Sequence, residues 1–321
     1  LKGHHLLFAG FLYTVYRKFS QGTLLKQKYI ENETLLNNKT VVITGATAGV
    51  GKESVKGFLR MGAEKIIIGA RNIEKAQKIL EKEWSKVDKN AKDKIKIIYL
   101  DNSDFDTCKT FTEDVKAYLG EKPIDIISCN AGLFSAEMKS NPQNWEYVFA
   151  LNYLSHVIIV ERLKDALKKS KDPRVVSTAS YGSFLYLKKM PTWEQLKGDG
   201  TKIFKSGYDT YTFSKLAQVL YTRALAKNEP TITASSLHPG TVITDIWRSG
   251  SSLIDLIQYN LMKVLPMKTS WEGCNTILHC AVADDIKNGA YYEDTYVYPF
   301  APKARSMKRA DEFYKASIEA V

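Results

Sequence analysis

A β-branched run, Thr40-Val41-Val42-Ile43-Thr44, breaks off into glycines at positions 45, 49 and 51. A helical pattern follows at once, with Val55, Phe58 and Leu59 on one face and Gly62 as the C-terminal stop. A strand, a tight turn and a helix N-terminus in such close succession leave few folds open. The turn exposes backbone N–H groups and aims the positive end of a helix dipole at whatever lies above it, which favours a phosphate. Glycine is needed where the backbone takes positive φ or approaches a ligand with no Cβ in the way. The spacing G-x3-G-x-G departs from the common G-x-G-x-x-G fingerprint. Gly45, Thr47, Gly49, Val50 and Gly51 are therefore the candidate phosphate-binding residues, against the alternative of a glycine-rich turn with no ligand.

Further apolar runs recur with helical stretches between them. Ile66-Ile67-Ile68 ends at Gly69-Ala70-Arg71, and Ile95 to Leu100 ends at Asp101-Asn102. Ile124 to Ser128 leads to Cys129-Asn130-Ala131-Gly132, and Val175-Val176 to Ser177-Thr178-Ala179-Ser180. Thr231 to Leu237 ends at His238-Pro239-Gly240. Continuous apolar strands alternating with helices predict a parallel sheet covered on both faces, a doubly wound α/β fold of the Rossmann type. In such sheets the ligand lies beyond the carboxyl ends of the strands, and most of the chemical motifs fall there.

The 321 residues fit one large domain or two small ones, with enough apolar content for a sizeable core. The net charge is +11, but the lysines are scattered along helical faces, as at Lys75, Lys78, Lys82 and Lys86, and no basic–aromatic array accompanies them. Nucleic acid is not the expected partner, and an anionic membrane surface suits the charge better. Cys108, Cys129, Cys274 and Cys280 form no paired framework, which favours a reducing compartment. Cys274, His279 and Cys280 match no zinc spacing, so no metal site is expected.

The chain begins at Leu1 rather than Met, and Leu6 to Tyr16 is apolar and aromatic, followed by Arg17-Lys18. This stretch is too short to span a bilayer by itself, which takes about 20 residues. It reads as the end of a longer anchor or as a helix lying in a lipid interface, with a helix packed on the core as the alternative. Residues 19–39 read as a polar connector, so 1–37 form an N-terminal appendage and 38–321 the catalytic domain.

The second strand carries Arg71 at its end and no acid. An acidic residue there would bind the ribose 2′-hydroxyl of NAD, whereas Arg accommodates the 2′-phosphate of NADP, so NADP(H) is the expected cofactor. A solvated helix start is the other reading of Arg71. Asp101 could accept from an adenine amino group or could serve an Asx turn. Tyr-x3-Lys puts both side chains on one helix face, where the ammonium can lower the phenol pKa and fit it for proton transfer to or from a carbonyl oxygen. The pattern occurs at Tyr118/Lys122, Tyr211/Lys215 and Tyr259/Lys263. Tyr118 precedes Gly120 at a helix end, and Tyr259 lies beyond the last glycine turn. Tyr211 opens a helix between the strands ending at Ser180 and at His238, above the expected crevice.

Taken together, Thr44-Gly45-x3-Gly49-x-Gly51, Asn130-Ala131-Gly132, Ser180, Tyr211-x3-Lys215 and Pro239-Gly240 resemble the short-chain dehydrogenase/reductase family over about residues 38–300. Gly51-Lys52-Glu53, Ala70-Arg71, Ser214-Lys215-Leu216-Ala217, His238 to Val242 and Asn288 to Tyr292 are similar to its retinol-dehydrogenase-like branch. The resemblance implies that Ser180 hydrogen-bonds the substrate carbonyl and that Tyr211 transfers the proton. It implies that Lys215 binds the nicotinamide ribose and tunes Tyr211, and that Asn152 holds a proton-relay water. Cofactor contacts are implied at Asn102, Asn130, Ala131, Gly132, Pro239, Gly240, Val242 and Thr244. Homodimers through the helices of Asn152 and Tyr211 are implied as well. So is a place on the endoplasmic reticulum or on lipid droplets, as in fungal members of the branch, with a role in lipid metabolism. Cys129 stands where the family usually has Asn, and Ala179 where a serine commonly adjoins Ser180, leaving Ser177 and Thr178 as alternative hydroxyls.

The resulting expectation is a single-domain, NADP(H)-dependent oxidoreductase acting on an apolar carbonyl or alcohol, retinoid- or lipid-like. Tyr186, Pro191, Trp193 and Phe204 are expected to line or cover the substrate pocket. Leu253–Leu265 is expected to form a lid, to dip into a lipid surface or to pack on the core. A non-catalytic NADP-binding scaffold at a membrane or lipid-droplet surface is the rival of another class, and a sugar-nucleotide epimerase or dehydratase an enzymatic one.

Overall fold

A computed structural model describes Leu25, residues 27–242 and residues 267–321. Its elements alternate as the apolar runs predict. β1 (Thr40–Thr44) leads to α1 (Gly49–Arg60), β2 (Lys65–Ala70) to α2 (Ile73–Lys82), and β3 (Ile95–Tyr99) to α3 (Phe105–Leu119). β4 (Ile126–Cys129) is followed by α4 (Ser155–Lys168), β5 (Arg174–Thr178) by α5 (Gly207–Asn228), and β6 (Thr233–His238) by α6 (Ser270–Val282). β7 (Tyr291–Glu293), β8 (Tyr296–Tyr298) and α7 (Met307–Glu319) complete the order.

The strands lie in one sheet in the order β3-β2-β1-β4-β5-β6-β7-β8. All neighbouring pairs are parallel except β7 with β8. Alternate residues of a strand face opposite sides. Thus Val42, Ile67, Ile127 and Val175 enter one core with α3, α4, α5 and α7, while Val41, Ile43, Ile66, Ile68 and Val176 enter a second with α1, α2 and α6. This is the predicted doubly wound architecture. The chain order reverses between β1 and β4, which opens a crevice at the carboxyl ends of those strands.

The stretch read as a polar connector is packed in part. Leu25, Tyr29 and Leu36 are buried in the second core, and the Leu25 N–H donates to Asn275 Oδ1 at 2.9 Å. The reason is a sparse apolar spacing: Tyr29 lies on a single short helical turn, Gln27–Ile30, with Leu25 before it and Leu36 beyond it, too few in a polar stretch to stand out in sequence. The apolar segment Leu6–Tyr16, Thr244, the Tyr259/Lys263 pair and Leu253–Leu265 lie outside the described residues.

Candidate active site

Gly45, with φ +66°, and Gly49, with φ +51°, turn the chain out of β1 and into α1. Gly51 sits where the helix crosses that turn; a Cβ there would stand 2.3 Å from the Gly45 carbonyl oxygen and 2.4 Å from Asn130 Nδ2. Only glycine permits the contact. Ala48 occupies the N-cap of α1 and supplies no side-chain cap, so the leading N–H groups of the helix face outward unclaimed by a side chain. They face a cavity of about 810 Å³. Asn130 closes the turn from β4, donating from Nδ2 to the Thr44 and Gly45 carbonyls, both at 3.2 Å. The Asn130 and Ala131 N–H groups donate to Thr44 Oγ1 at 3.1 and 2.9 Å.

The same cavity collects Gly45, Thr47, Gly49 and Val50 from the turn, Asn130 to Gly132 from β4, Ser180 from β5, Tyr211 and Lys215 from α5, and Pro239, Gly240 and Val242 beyond β6. Segments more than a hundred residues apart thus converge on one volume. The Tyr211 hydroxyl is hydrogen-bonded with Ser180, whose Oγ also accepts from the Gly182 N–H at 3.0 Å. Of the alternative hydroxyls, Ser177 is buried away from this cavity, whereas Thr178 lines it, with its hydroxyl donating to Asn130 Oδ1 at 3.4 Å and its main-chain carbonyl accepting from Lys215 Nζ at 2.9 Å. The ring of Phe134 meets that of Tyr211 edge-on, with centroids 6.2 Å apart.

The electrostatics differ from the expectation that the ammonium would lower the phenol. Burial raises the Tyr211 phenol above its ordinary value, and the hydrogen bond to Ser180 only partly opposes it. Burial likewise pushes Lys215 down to about 7, because a neutral carbonyl compensates an ammonium poorly. Desolvation is the leading cause of both shifts. His238 lines the cavity with its ring pushed down to about 3 by burial.

Asn152 is placed by a π-helical segment, Ala150–Leu154, inserted between Tyr147–Phe149 and α4. Such insertions are frequent at functional sites. Three hydrogen bonds hold the side chain. Its Oδ1 accepts from the Leu133 N–H at 2.8 Å, and Nδ2 donates to the Leu133 carbonyl at 2.9 Å and to Ser214 Oγ at 3.0 Å. Its main-chain carbonyl lies 3.0 Å from His156 Nδ1.

Three further candidates lie off the cavity wall. Asp101 Oδ1 accepts from the N–H and hydroxyl of Ser103 at 2.9 and 2.7 Å, the Asx turn weighed above, while Oδ2 stands 3.9 Å from Arg71. Arg71 is itself two-thirds exposed at the end of β2. Asn102 donates to Ser155 Oγ at 3.0 Å and so ties the end of β3 to α4.

The aromatic residues expected over the pocket are elsewhere. Tyr186, Trp193 and Phe204 pack in the core around Phe213 and Phe313, and Pro191 is buried. The apolar side of the cavity is built instead by Leu133, Phe134, Tyr181, Leu185 and Tyr208. Proximity to Asn130-Ala131-Gly132, to Ser180 and to Tyr211 in sequence is the signal that would have found them.

A doubly wound sheet whose glycine turn, serine, tyrosine and lysine meet at its carboxyl edge has the layout of a nucleotide-dependent dehydrogenase. The family model of the short chain dehydrogenases matches residues 39–194. Retinol dehydrogenase 12 of Bos taurus is 32% identical over 320 residues, covering 97% of this chain and 95% of its own length. Polyprenol dehydrogenase of Homo sapiens is 28% identical over 264 residues, covering 79% and 76%. The chain belongs to the short-chain dehydrogenase family, in its retinol-dehydrogenase-like branch. Among solved structures, a short chain dehydrogenase from Shigella flexneri complexed with NADP superposes with a TM-score of 0.61 at 20% identity, covering 82% of this chain and 100% of its own. One from Escherichia coli complexed with NADPH gives 0.62 at 20% identity, covering 82% and 98%.

Proposed function

We propose that the chain is an NADP(H)-dependent oxidoreductase that interconverts an apolar aldehyde or ketone, retinoid- or lipid-like, and its alcohol, with Tyr211 as the acid/base. The observation that carries this reading is the hydrogen-bonded Ser180–Tyr211 pair at the cavity wall, with Lys215 one helical turn further along α5. The assembly of all three groups favours catalysis over a scaffold. The uncapped N-terminus of α1 and the glycine turn fit a dinucleotide phosphate. Arg71, which follows β2 where no acid adjoins it in sequence and is two-thirds exposed 3.9 Å from Asp101, suits a 2′-phosphate, and NADP and NADPH are the cofactors of the solved neighbours.

When bound, the nicotinamide supplies or accepts the hydride. Reduction then needs a proton on the carbonyl oxygen. Ser180 Oγ orients that oxygen by donating to it, and the Tyr211 hydroxyl gives up the proton; in oxidation the phenolate takes it back. Lys215 replenishes the proton on Tyr211 through a water held by the main-chain carbonyl of Asn152. Phe134, Tyr181, Leu185 and Tyr208 exclude water and receive the apolar body of the substrate. The relatives' alcohols, retinol and a polyprenol, suit such walls.

The apolar Leu6–Tyr16 stretch and the positive charge support attachment to a membrane or lipid-droplet surface, facing the cytosol. Among the described residues no helix is long and apolar enough to cross a membrane. A homodimer through α4 and α5 belongs to the same reading.

The test is loss of NADPH absorbance with a panel of apolar aldehydes and ketones, retinal included, for the wild type beside Tyr211→Phe. Turnover by the wild type, reduced by roughly 10²–10⁴-fold in the variant, is expected. NADPH binding without turnover on any member of the panel, or turnover that survives the substitution, overturns it.

A further inference from the structure

His156 is a buried, fully partnered polar group beside the site that the scheme above leaves unused. Its ring is 4% exposed on α4. Nε2 lies 3.0 Å from Thr44 Oγ1, and Nδ1 lies 3.0 Å from the main-chain oxygen of Asn152. Which nitrogen carries the proton follows from Thr44. A hydroxyl has one proton and two acceptor lone pairs. Both lone pairs of Thr44 are taken by the N–H groups of Asn130 and Ala131. Its proton must therefore point at Nε2, which makes Nε2 the acceptor. Nδ1 then carries the hydrogen and donates it to Asn152.

A second proton on the ring would set an N–H against the Thr44 O–H. Burial and the nearby Lys215 act in the same direction and push the imidazole down to about 3. The ring is thus a fixed neutral strut with one donor and one acceptor, not a proton carrier. One end holds the rotor of the hydroxyl that pins the Asn130-Ala131 turn, a wall of the cofactor cavity. The other fills one lone pair of the carbonyl that holds the relay water in that scheme.

We propose that His156 is a positioning residue that couples the cofactor turn of β1 and β4 to the proton-relay carbonyl of Asn152. The proposal rests on the reductase reading for the role of that carbonyl, but its geometry does not. The relay half predicts an effect on proton delivery, and the Thr44 half an effect on cofactor affinity. Two substitutions separate them. In His156→Asn the amide sits near the Nδ1 position and still donates to Asn152, while Thr44 loses its acceptor. In His156→Gln the amide reaches the Nε2 position and still accepts from Thr44, while Asn152 loses its donor.

The experiment uses the full chain and NADPH as the probe. NADPH affinity is read by fluorescence titration, kcat and its pH profile at saturating NADPH, Tm by calorimetry, and the imidazole tautomer by ¹⁵N resonance. His156→Asn is expected to weaken NADPH binding about tenfold and to hold kcat. His156→Gln is expected to hold affinity, to lower kcat about tenfold and to shift its pH profile. The wild-type ring should show hydrogen on Nδ1 from about pH 5 to about pH 9. Parallel losses of affinity and kcat that track Tm in both variants would mean a merely structural histidine and overturn the coupling, as would hydrogen on Nε2. The titration and the resonance need no turnover, so an inactive wild type sinks the reductase reading while they still decide the coupling.

Discussion

Lys215 Nζ donates to the main-chain carbonyl of Thr178 at 2.9 Å, which ties α5 to the last residue of β5, two residues before Ser180. The lysine is 2% exposed, and no carboxylate contributes to its shifted pKa; burial alone brings it to about 7. Its charge is therefore present below that pH and lost above it. In the proposed mechanism reduction consumes a proton that passes through Tyr211, so kcat/KM for a carbonyl should fall about tenfold per pH unit above about 7. Lys215→Met should be slow at every pH and lack that limb. Initial rates across the range, at saturating NADPH, make the comparison. A wild-type profile flat through neutrality would remove Lys215 from the proton path.

The same burial has a consequence for stability. A lysine whose folded pKa lies below its ordinary 10.5 binds fewer protons folded than unfolded between about 7 and 10.5, so stability rises with pH across that window. Below about 7 the penalty is complete, on the order of 4–5 kcal/mol. Lys215→Met removes it but orphans the Thr178 carbonyl, which costs about 1–3 kcal/mol. This variant should therefore be more stable than wild type at neutral pH, by about 2 kcal/mol, and less stable near pH 10. Denaturant unfolding at the two pH values tests the crossover, and a variant less stable at both would contradict it.

The glycine turn allows a sharper steric test. Gly51→Ala puts a methyl group 2.3 Å from a backbone oxygen and 2.4 Å from the amide that closes the turn. One neighbour is backbone and the other a side-chain amide held by two hydrogen bonds to the turn, so the turn itself must shift. A loss of about 1–3 kcal/mol in stability is expected. NADPH affinity should fall with it, since the displaced atoms wall the cavity. Calorimetry and fluorescence titration check the pair, and wild-type values in both would show that the turn has slack.

How much of this was legible in sequence depends on how local each cause is. β1, the turn and α1 could be read because β-branched residues, glycines and an amphipathic face follow one another without interruption. Tyr211 could be chosen from three Tyr-x3-Lys patterns because its place between two strand ends is itself local information. The committed amide of Asn152 could not be read, since the π-helical segment and the contacts to Leu133 and Ser214 exist only after packing. The aromatic residues were misplaced for a similar reason. Trp193 and Phe204 sit in a long interval that could cover a pocket, but Phe149, Phe213 and Phe313 gather from three distant helices into a core that absorbs them. Nothing near residue 193 announces Phe313. Tyr181 and Tyr208, which do reach the cavity, are set apart from the other tyrosines only by their nearness in sequence to Ser180 and Tyr211.

Glu146 supplies a last prediction, at the entry to the helix that holds Asn152. Its carboxylate is wholly buried and accepts from the Val148 and Phe149 N–H groups at 3.1 and 2.7 Å. Burial raises it to about 7 in spite of those two bonds. An acid whose folded pKa exceeds its ordinary 4.5 holds more protons folded than unfolded between about 4.5 and 7, so stability falls as pH rises through that window. The loss is on the order of 3 kcal/mol. Glu146→Gln cannot ionise, but its single oxygen leaves one N–H without an acceptor, which costs about 1–3 kcal/mol. The variant should therefore be less stable than wild type near pH 4.5, draw level between about pH 5 and pH 7, and be no less stable above that. Taking the difference between the two proteins at each pH cancels the opposing slope of His156, whose depressed pKa makes both lose stability as pH falls below about 6.5. A difference that stays constant with pH would mean that Glu146 is ionised throughout, and that its two N–H bonds outweigh its burial.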